Sequence, residues 1–306
     1  MSSTGKGREH CSDHTQDGGR LTGKIVVYIL IVTYPVTKRY IMTRSIPRGM
    51  AAVLEALELE QPRLVTNEAL QSILERESIK TPSRIVALRL REKGWLNTTE
   101  QQGVWEFIPA AVAGPIPSSD PLIPLKAFIL KNPETACALT FQSAAWAHDY
   151  ADRIPLRLEV AVEEQNARLR LPRSIRSSTF RPILPPVFLR DVPVLSIESI
   201  LVHMTTRPSA VRSWQSALEW LPSLAGNLDE HLLSEELKQR PYSVSIRTGY
   251  LLQGMRPDLA ASLFSALSPK AIVRFGPQQA SIRTDRQWLI ADTLLPFDPR
   301  EIAQVG

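Results

Sequence analysis

The chain has 306 residues, of which 43% are hydrophobic and 22% are charged. This composition is that of an ordinary folded protein, and the length suffices for two domains. Two cysteines cannot form a disulfide framework, and no apolar run is long enough to span a bilayer, so we exclude a disulfide-stabilised secreted domain and a helical membrane protein. We therefore expect a cytoplasmic protein without a membrane partner.

The formal charge of +5 lies mostly in residues 1–46, which carry a net +4, whereas residues 47–108 carry −1 and residues 119–306 carry +2. Affinity for nucleic acid must therefore come from local clusters of Lys and Arg. Polar and small residues dominate the start of the chain, and its apolar run at 25–32 is too short for a membrane span. We interpret residues 1–46 as a leader, either disordered or an extension upstream of a native start at Met42 or Met50.

Residues 47–108 have the pattern of a winged helix-turn-helix. A first helix is predicted at Met50–Leu59. Thr66 is placed to cap a second helix that begins at Asn67, with apolar residues at helical spacing behind it. Thr81 as a cap, with Pro82 at the first helical position, predicts a third helix. Gly94 would end that helix in the left-handed conformation.

The third predicted helix, residues 82–93, is the one that would enter the major groove. Arginine suits guanine edges and phosphates because its planar group donates two parallel hydrogen bonds. We predict phosphate contacts from Arg84, Arg89, Arg91 and Lys93, with bases contacted by Thr81, Ser83 and Arg84, and with Lys80 beside them. The competing interpretation is a plain helical domain with a solvated charged face.

Two short strands follow the third helix, at residues 95–96 and 104–108, and the polar segment Asn97–Gly103 between them would form the wing. Its candidate DNA-binding residues are Asn97, Thr98, Gln101 and Gln102. Residues 109–118, rich in proline and small residues, predict a semi-extended linker.

Residues 119–306 predict a mixed α/β domain, so the fold class of the whole chain is α+β. Its first helix would be capped by Ser119, with Pro121 just inside, and its helix around Ser196 would be capped by that serine. Further helices are predicted at 141–150, 197–206, 208–221, 228–240, 244–253 and 257–267. Strands are predicted at 156–162, 167–171, 179–184, 271–275 and 288–291.

A second basic surface is predicted between Gln165 and Arg190, where six arginines occur without an acid. A cationic pair of strands there would suit phosphates. The alternative is a solvated sheet face, or arginines paired with acids outside the segment. The six are Arg168, Arg170, Arg173, Arg176, Arg181 and Arg190.

No pattern of an active site stands out. G-x-S-x-G, H-E-x-x-H, C-x-x-C and glycine-rich phosphate loops are all missing from the sequence, and the five histidines show no metal-ligand spacing. The nearest acidic pair, Asp149 and Asp152, lies at a predicted helix end, where Asp is common. We therefore expect no enzyme, no metal and no cofactor.

The order of these segments resembles the AbiEi family of antitoxins, whose winged domain ends in a strand of the form G-x-Y/W-x-F/I-x-P. The matching residues here are G-V-W-E-F-I-P at 103–109, after G-W-L at 94–96. The segments D-P-L-I-P-L at 120–125, S-A-A-W at 143–146, the region 197–208 and R-T-G-Y-L-L at 247–252 are similar to the family's second domain. The resemblance covers about residues 50–291.

The resemblance implies a two-domain protein of a type IV toxin–antitoxin system. Its winged domain would bind inverted repeats in the promoter of its own operon and repress it. Its second domain would supply the antitoxin activity against an AbiEii-type nucleotidyltransferase toxin, without a stable complex. The alternatives from the residues are a nucleotide- or RNA-acting enzyme tethered by the winged domain, and a protein–protein interaction module.

Overall fold

A computed structural model describes residue 46 and residues 49–112, 120–164 and 170–302. The predicted leader, most of the predicted linker and the predicted strand at 167–171 lie largely outside the described residues. The described part has a mixed α+β fold, as predicted, with helices and three sheets. Within that part, no helix is both long and apolar enough to cross a membrane.

Residues 49–109, which we call the N-terminal module, contain three helices and a three-stranded sheet of order β1-β3-β2. The Thr66 hydroxyl accepts a hydrogen bond from Ala69 N at 3.1 Å, so the predicted cap of α2 is confirmed. Strand β1 was not predicted, because three residues are too few for a visible alternation. The elements are α1 Ala51–Glu60, β1 Leu64–Thr66, α2 Asn67–Arg76, α3 Ser83–Glu92, β2 Leu96–Thr98 and β3 Val104–Phe107.

The start of α3 differs from the prediction. The helix begins at Ser83, and Pro82 occupies its cap position with an extended ψ of 138° and no side-chain cap hydrogen bond. The prediction that Thr81 caps this helix is therefore wrong, since the extended proline separates Thr81 from the first turn. Gly94 has a φ of +74°, so the predicted left-handed end of the helix is confirmed.

The N-terminal module has its own hydrophobic core, to which all three helices contribute. Val53 and Leu57 of α1 are buried, and Phe107 of β3 closes the core from the sheet side. Helices α2 and α3 contribute Leu70, Ile73, Leu74, Val86, Ala87 and Leu90. Each of the larger side chains stabilises the fold by about 1.5–3 kcal/mol on burial, which is what directs the polar side of α3 to solvent.

The C-terminal part (residues 120–302) opens with α4, Ile123–Lys131, whose cap position is Leu122, without a side-chain cap. The predicted cap Ser119 lies outside the described residues. A five-stranded sheet of order β6-β5-β4-β8-β7 follows, with β6 and β7 at its two edges. Its elements are β4 Cys137–Leu139, α5 Phe141–Ala147, β5 Leu158–Val162, β6 Ile175–Thr179, β7 Val187–Leu189 and β8 Val192–Val194.

The predicted strand at 179–184 is wrong. Strand β6 ends at Thr179, and the backbone beyond it is irregular. A buried carboxylate explains the change, because Glu236 accepts hydrogen bonds from Ile183 N and Leu184 N, both at 2.9 Å. These two backbone N–H groups therefore do not donate to a neighbouring strand.

Helices dominate the rest of the chain. Ser196 caps α6 through Ser199 N, as predicted. The continuous helix predicted at 208–221 is wrong, because Ser213 accepts a hydrogen bond from Ser216 N and starts a new helix after a short 3-10 turn at Pro208–Ala210. The helices are α6 Ile197–Thr206, α7 Trp214–Ala217, α8 Leu221–Gly226, α9 Glu230–Leu237, α10 Tyr242–Leu252 and α11 Pro257–Leu267.

A last sheet packs against α10. It has the order β10-β11-β9, with β9 Val273–Phe275, β10 Arg283–Asp285 and β11 Ile290–Asp292. The ring of Trp288 lies so close to Gly249 of α10 that a Cβ there would sit 2.0 Å from it. The Tyr250 hydroxyl donates to the Asp292 carboxylate at 3.0 Å. The sheet and α10 therefore share one packed core.

Candidate nucleic-acid interface

Helix α3 presents its cations to solvent. Val86, Ala87 and Leu90 fix one side of the helix in the core. Ser83 is also on that side, at only 7% exposure, so we leave it out of the base-contacting set. The predicted cations Lys80, Arg84, Arg89, Arg91 and Lys93 are all exposed, and Thr81 is half-buried.

These five cations have no carboxylate partner among the described residues. Ion pairs within 4 Å involve other arginines, such as Arg256 with Asp258 at 2.7 Å. On the preceding helix, Arg76 pairs with Glu60 at 3.3 Å. A cation that is paired within the protein must lose that partner before it can bind a phosphate. The cations of α3 carry no such cost.

The centre of the exposed face of α3 is apolar. Ile85 is 39% exposed and Leu88 is 40% exposed. On a helix of 100° per residue, Arg84 and Arg91 lie on one side of these two residues and Arg89 lies on the other. The face is therefore an apolar ridge of Ile85 and Leu88 with cations along both sides, and the exposed acid Glu92 continues the line of the ridge at the C-terminal end of the helix.

The loop between β2 and β3 follows a strand that packs against α3. Asn97 and Thr98 belong to β2, so the predicted wing is shorter than expected and spans residues 99–103. Thr99 shapes the loop, since its hydroxyl donates to Val104 O at 2.8 Å and accepts from Gln101 N at 3.1 Å. Thr98 and Gln102 are exposed, whereas Asn97 and Gln101 are half-buried.

The predicted second basic surface is divided among separate parts of the molecule. Arg190 lies in the turn after the edge strand β7, where it stacks on Trp146 at 4.3 Å and donates to Asp149 at 2.5 Å. Arg176 lies on β6, at the opposite edge of the sheet. Arg181 pairs with Glu163 at 3.8 Å. The prediction of a single second basic surface is therefore wrong.

The remaining members of that predicted surface lie before β6. Arg168 is outside the described residues. Arg170 and Arg173 are exposed. The backbone of Arg173 is held by Glu100 of the β2–β3 loop, at 2.5 Å from Arg173 N to the carboxylate. Among the described arginines of this set, Arg173 is therefore the one with a hydrogen bond to the N-terminal module, from its backbone N–H to Glu100.

Sequence reasoning missed a buried polar cluster in the C-terminal part. The His203 ring lies between Phe141 and Phe180, each at 4.3 Å, and its nitrogens bond to Thr140 Oγ1 at 2.7 Å and Ser178 Oγ at 3.0 Å. Burial lowers the pKa of His203 well below its usual value, assisted by the charges of two arginines. The residues of this cluster are far apart in sequence, so no spacing could reveal it.

Asp149 of the acidic pair and the cysteine Cys137 both lie in the C-terminal part. Asp149 accepts the hydrogen bond from Arg190, and the described residues contain no group of His, Cys, Asp and Glu that could hold a metal ion. Burial raises the pKa of Cys137 to about 11. Its thiol is therefore protonated at neutral pH and is a weak nucleophile.

Comparison with known families and structures assigns the C-terminal part. Residues 135–254, which hold the five-stranded sheet and α6 to α10, match the model of the AbiEi antitoxin C-terminal domain. Residues 135–254 are thus similar to an AbiEi antitoxin C-terminal domain, and we call this segment the AbiEi domain. The predicted resemblance is thus confirmed, and an antitoxin domain indicates a role in a toxin–antitoxin system with a toxin as partner.

A solved structure also resembles this fold. The crystal structure of the RV2827C protein from Mycobacterium tuberculosis is 25% identical in sequence, with a TM-score of 0.68. The match covers 82% of this chain and 94% of that chain. It therefore includes residues of both the N-terminal module and the C-terminal part. A comparison with curated proteins finds no match.

Proposed function

We propose that the protein is a DNA-binding antitoxin that represses its own toxin–antitoxin operon by binding inverted repeats in the promoter. In this proposal residues 47–108 are a winged helix-turn-helix, residues 109–118 a linker and residues 119–306 the antitoxin-type domain. The toxin would be an AbiEii-type nucleotidyltransferase, countered without a stable complex. No enzymatic activity is proposed for this chain.

The exposed, unpaired cations of α3 carry the proposal. In a helix-turn-helix the second helix of the pair lies in the major groove, between two phosphate backbones. The order α2, turn, α3, β2, β3 matches that motif, and α3 is its second helix. The cations on both sides of the Ile85–Leu88 ridge fit a groove whose walls are phosphates. Each phosphate neutralised releases counterions, which makes binding favourable and salt-dependent.

The ridge itself fits the floor of the groove. Thymine presents its methyl group there, and apolar side chains contact it favourably. We propose that Ile85 and Leu88 contact thymine methyls while Arg84 reaches a guanine edge. Gln102 of the wing and Thr98 at the end of β2 would contact the adjacent DNA backbone.

The test is a fluorescence anisotropy titration of the full chain against the DNA upstream of its gene. Shuffled DNA of the same composition, at the same salt concentration, is the control. We expect binding to the native promoter that is at least about 10³-fold tighter than to shuffled DNA. Equal, salt-sensitive binding to both would contradict a repressor and leave a generic basic patch.

A second candidate function, a protein–protein contact, is favoured by the same two apolar residues. Exposed aliphatic side chains at the centre of a helix face are also found in protein interfaces. Co-purification with the toxin of its operon, lost in Leu88→Ala while promoter binding is unchanged, would favour this function over the first.

A further inference from the structure

The β2–β3 loop is attached to the AbiEi domain through one acidic residue. Glu100, the only charged residue of the segment 97–103, places one carboxylate oxygen 2.5 Å from Arg173 N and the other 3.1 Å from Ser174 N. Both donors lie in the turn that leads into β6. The carboxylate therefore spans from the loop to two consecutive backbone amides of the neighbouring domain.

The carboxylate of Glu100 is held in its ionised form. Partial burial would by itself raise the pKa of this carboxyl, but hydrogen bonds from Ser174 and Arg173, and the charge of Arg173, lower it overall. Hydrogen bonds to an ionised acceptor are roughly twice as strong as neutral ones. The attachment is thus fully formed at neutral pH.

The strand that follows the loop is buried as well. Val104, the first residue of β3, and Ile108, which follows its last residue, are buried but belong to neither of the two hydrophobic cores, as are Ile123 and Phe128 of α4. Strand β3 packs against α4. The strand after the loop therefore packs against α4, and Glu100 holds the tip of the loop.

The attachment leaves the side chain of Arg173 available. Glu100 engages the backbone of Arg173, while the guanidinium group is exposed and forms no ion pair within 4 Å in the described part of the chain. A cation of the AbiEi domain is thereby placed beside the tip of the loop. The tip of the loop and this cation are therefore both exposed at the same junction.

We propose that Glu100 is a positioning residue that fixes the β2–β3 loop against the AbiEi domain, so that the loop and Arg173 contact the same stretch of DNA backbone. This inference rests on the proposed function. It assigns to Arg173 a phosphate contact beyond the face of α3, and it makes DNA binding depend on the junction of the two domains.

The direction in which one substitution changes DNA affinity distinguishes a positioning role from simple electrostatic repulsion. Removal of an acidic side chain close to DNA reduces repulsion and should strengthen binding. If Glu100 acts by positioning, Glu100→Ala should instead weaken binding, because the loop and Arg173 lose their fixed placement. Glu55→Ala, which removes an exposed acid from α1, is the matched control for the change in net charge.

The experiment measures promoter affinity of the full chain between about 50 and 200 mM salt, the range over which phosphate contacts change affinity most visibly. For Glu100→Ala we expect a loss on the order of fivefold and a salt slope shallower by about one, equivalent to one phosphate contact. Glu100→Gln, which keeps one acceptor oxygen, should lie between the wild type and Glu100→Ala. Affinity equal to or tighter than that of Glu55→Ala would overturn the proposal.

A double-mutant cycle tests the coupling to Arg173. Arg173→Ala should make the salt slope shallower by about one in the wild-type background and leave it unchanged in Glu100→Ala. Additive effects of the two substitutions would show that Arg173 acts independently of the loop and would overturn the proposal.

Hydrogen exchange separates failure of this inference from failure of the proposed function. In the free protein the amides of Arg173 and Ser174 should exchange faster in Glu100→Ala than in Glu55→Ala. If the wild type does not prefer its promoter, the proposed function fails and the DNA role of Glu100 fails with it. If the wild type binds its promoter and the two amides exchange equally in both variants, the positioning role alone is overturned.

Discussion

The cations of α3 and the buried cation Arg240 of the AbiEi domain have opposite surroundings. Arg84 and Arg91 are exposed and lack carboxylate partners in the described part of the chain. Arg240 is mostly buried, donates to the fully buried Glu236 and lies 4.4 Å above the ring of Phe180. Net charge alone would favour the C-terminal part as the surface for an anionic ligand, since residues 47–108 carry −1 and residues 119–306 carry +2. The partners of each cation, rather than the sum of charges, therefore indicate a surface for an anionic ligand.

The largest effect is expected at Arg240. Arg240→Ala leaves the carboxylate of Glu236 buried without its cation, which costs roughly 3–5 kcal/mol of the free energy of unfolding. Urea unfolding followed by tryptophan fluorescence measures this. Lys238→Ala is the control, since Lys238 pairs with Glu235 at an exposed site and should lower the free energy of unfolding far less. Equal losses in both variants would mean that burial does not distinguish the two pairs.

Substitution of Arg84 should affect DNA binding and not stability, the reverse of what is expected for Arg240. Arg84→Ala should leave the free energy of unfolding unchanged and weaken specific promoter binding by roughly 1–3 kcal/mol. Arg286→Ala removes an exposed arginine from the far end of the chain and should alter neither quantity. An Arg84→Ala protein that binds its promoter like the wild type at fixed salt would remove Arg84 from the interface.

Acid should destabilise the AbiEi domain through His203. Burial depresses the pKa of this histidine in the folded state, so below its ordinary pKa of about 6.5 the unfolded chain binds the proton and the folded chain does not. Its effect on stability is nil above that pH, and stability is lost as the pH falls below it, by at most about 1.4 kcal/mol per pH unit. The N-terminal module contains no histidine and lacks this response.

The comparison variant for this pH dependence is His203→Gln. Urea midpoints of the wild type should fall more between pH 7 and pH 5 than those of the variant. The same pH dependence in both proteins would assign the acid sensitivity to other groups.

The smallest effect is expected at the apolar ridge. Leu88→Ala should weaken promoter binding by about 1 kcal/mol, because contact with one thymine methyl would newly bury only about one methylene's worth of the Leu88 surface, at about 0.8 kcal/mol. Replacing operator thymines one by one with uracil, which lacks the methyl group, should locate the partner base, and that penalty should disappear in Leu88→Ala. Leu59→Ala, at a highly exposed position of α1, is the control. A uracil penalty that persists in Leu88→Ala would assign the methyl contact to another residue.

Local rules predicted much of the N-terminal module. The Thr66 cap, the Gly94 end of α3 and the buried stripe of α2 each depend on residues within one or two turns, and all three were found. The outward cations of α3 followed from the same periodicity. The cap at Thr81 failed because Pro82 took the cap position itself.

The features that sequence missed depend on distant partners. Glu100 contacts backbone 73 and 74 residues further along the chain, and Glu236 ends a predicted strand from 52 and 53 residues away. The second basic surface failed for a related reason. Sheet order, which no spacing reveals, sends Arg176 and Arg190 to opposite edges. A lone acid in the polar wing was the signal available for Glu100.

The contact between Gly249 and Trp288 limits how the chain can be divided. The segment that matches the AbiEi domain model ends at residue 254, yet the ring that fills the space above Gly249 comes from residue 288, between β10 and β11. A fragment cut at 254 would expose Tyr250 and the groove at Gly249 to water, and would lose the carboxylate of Asp292. The unit defined by family similarity therefore omits side chains that complete its core, and a fragment meant to retain the folded domain must extend through the last sheet.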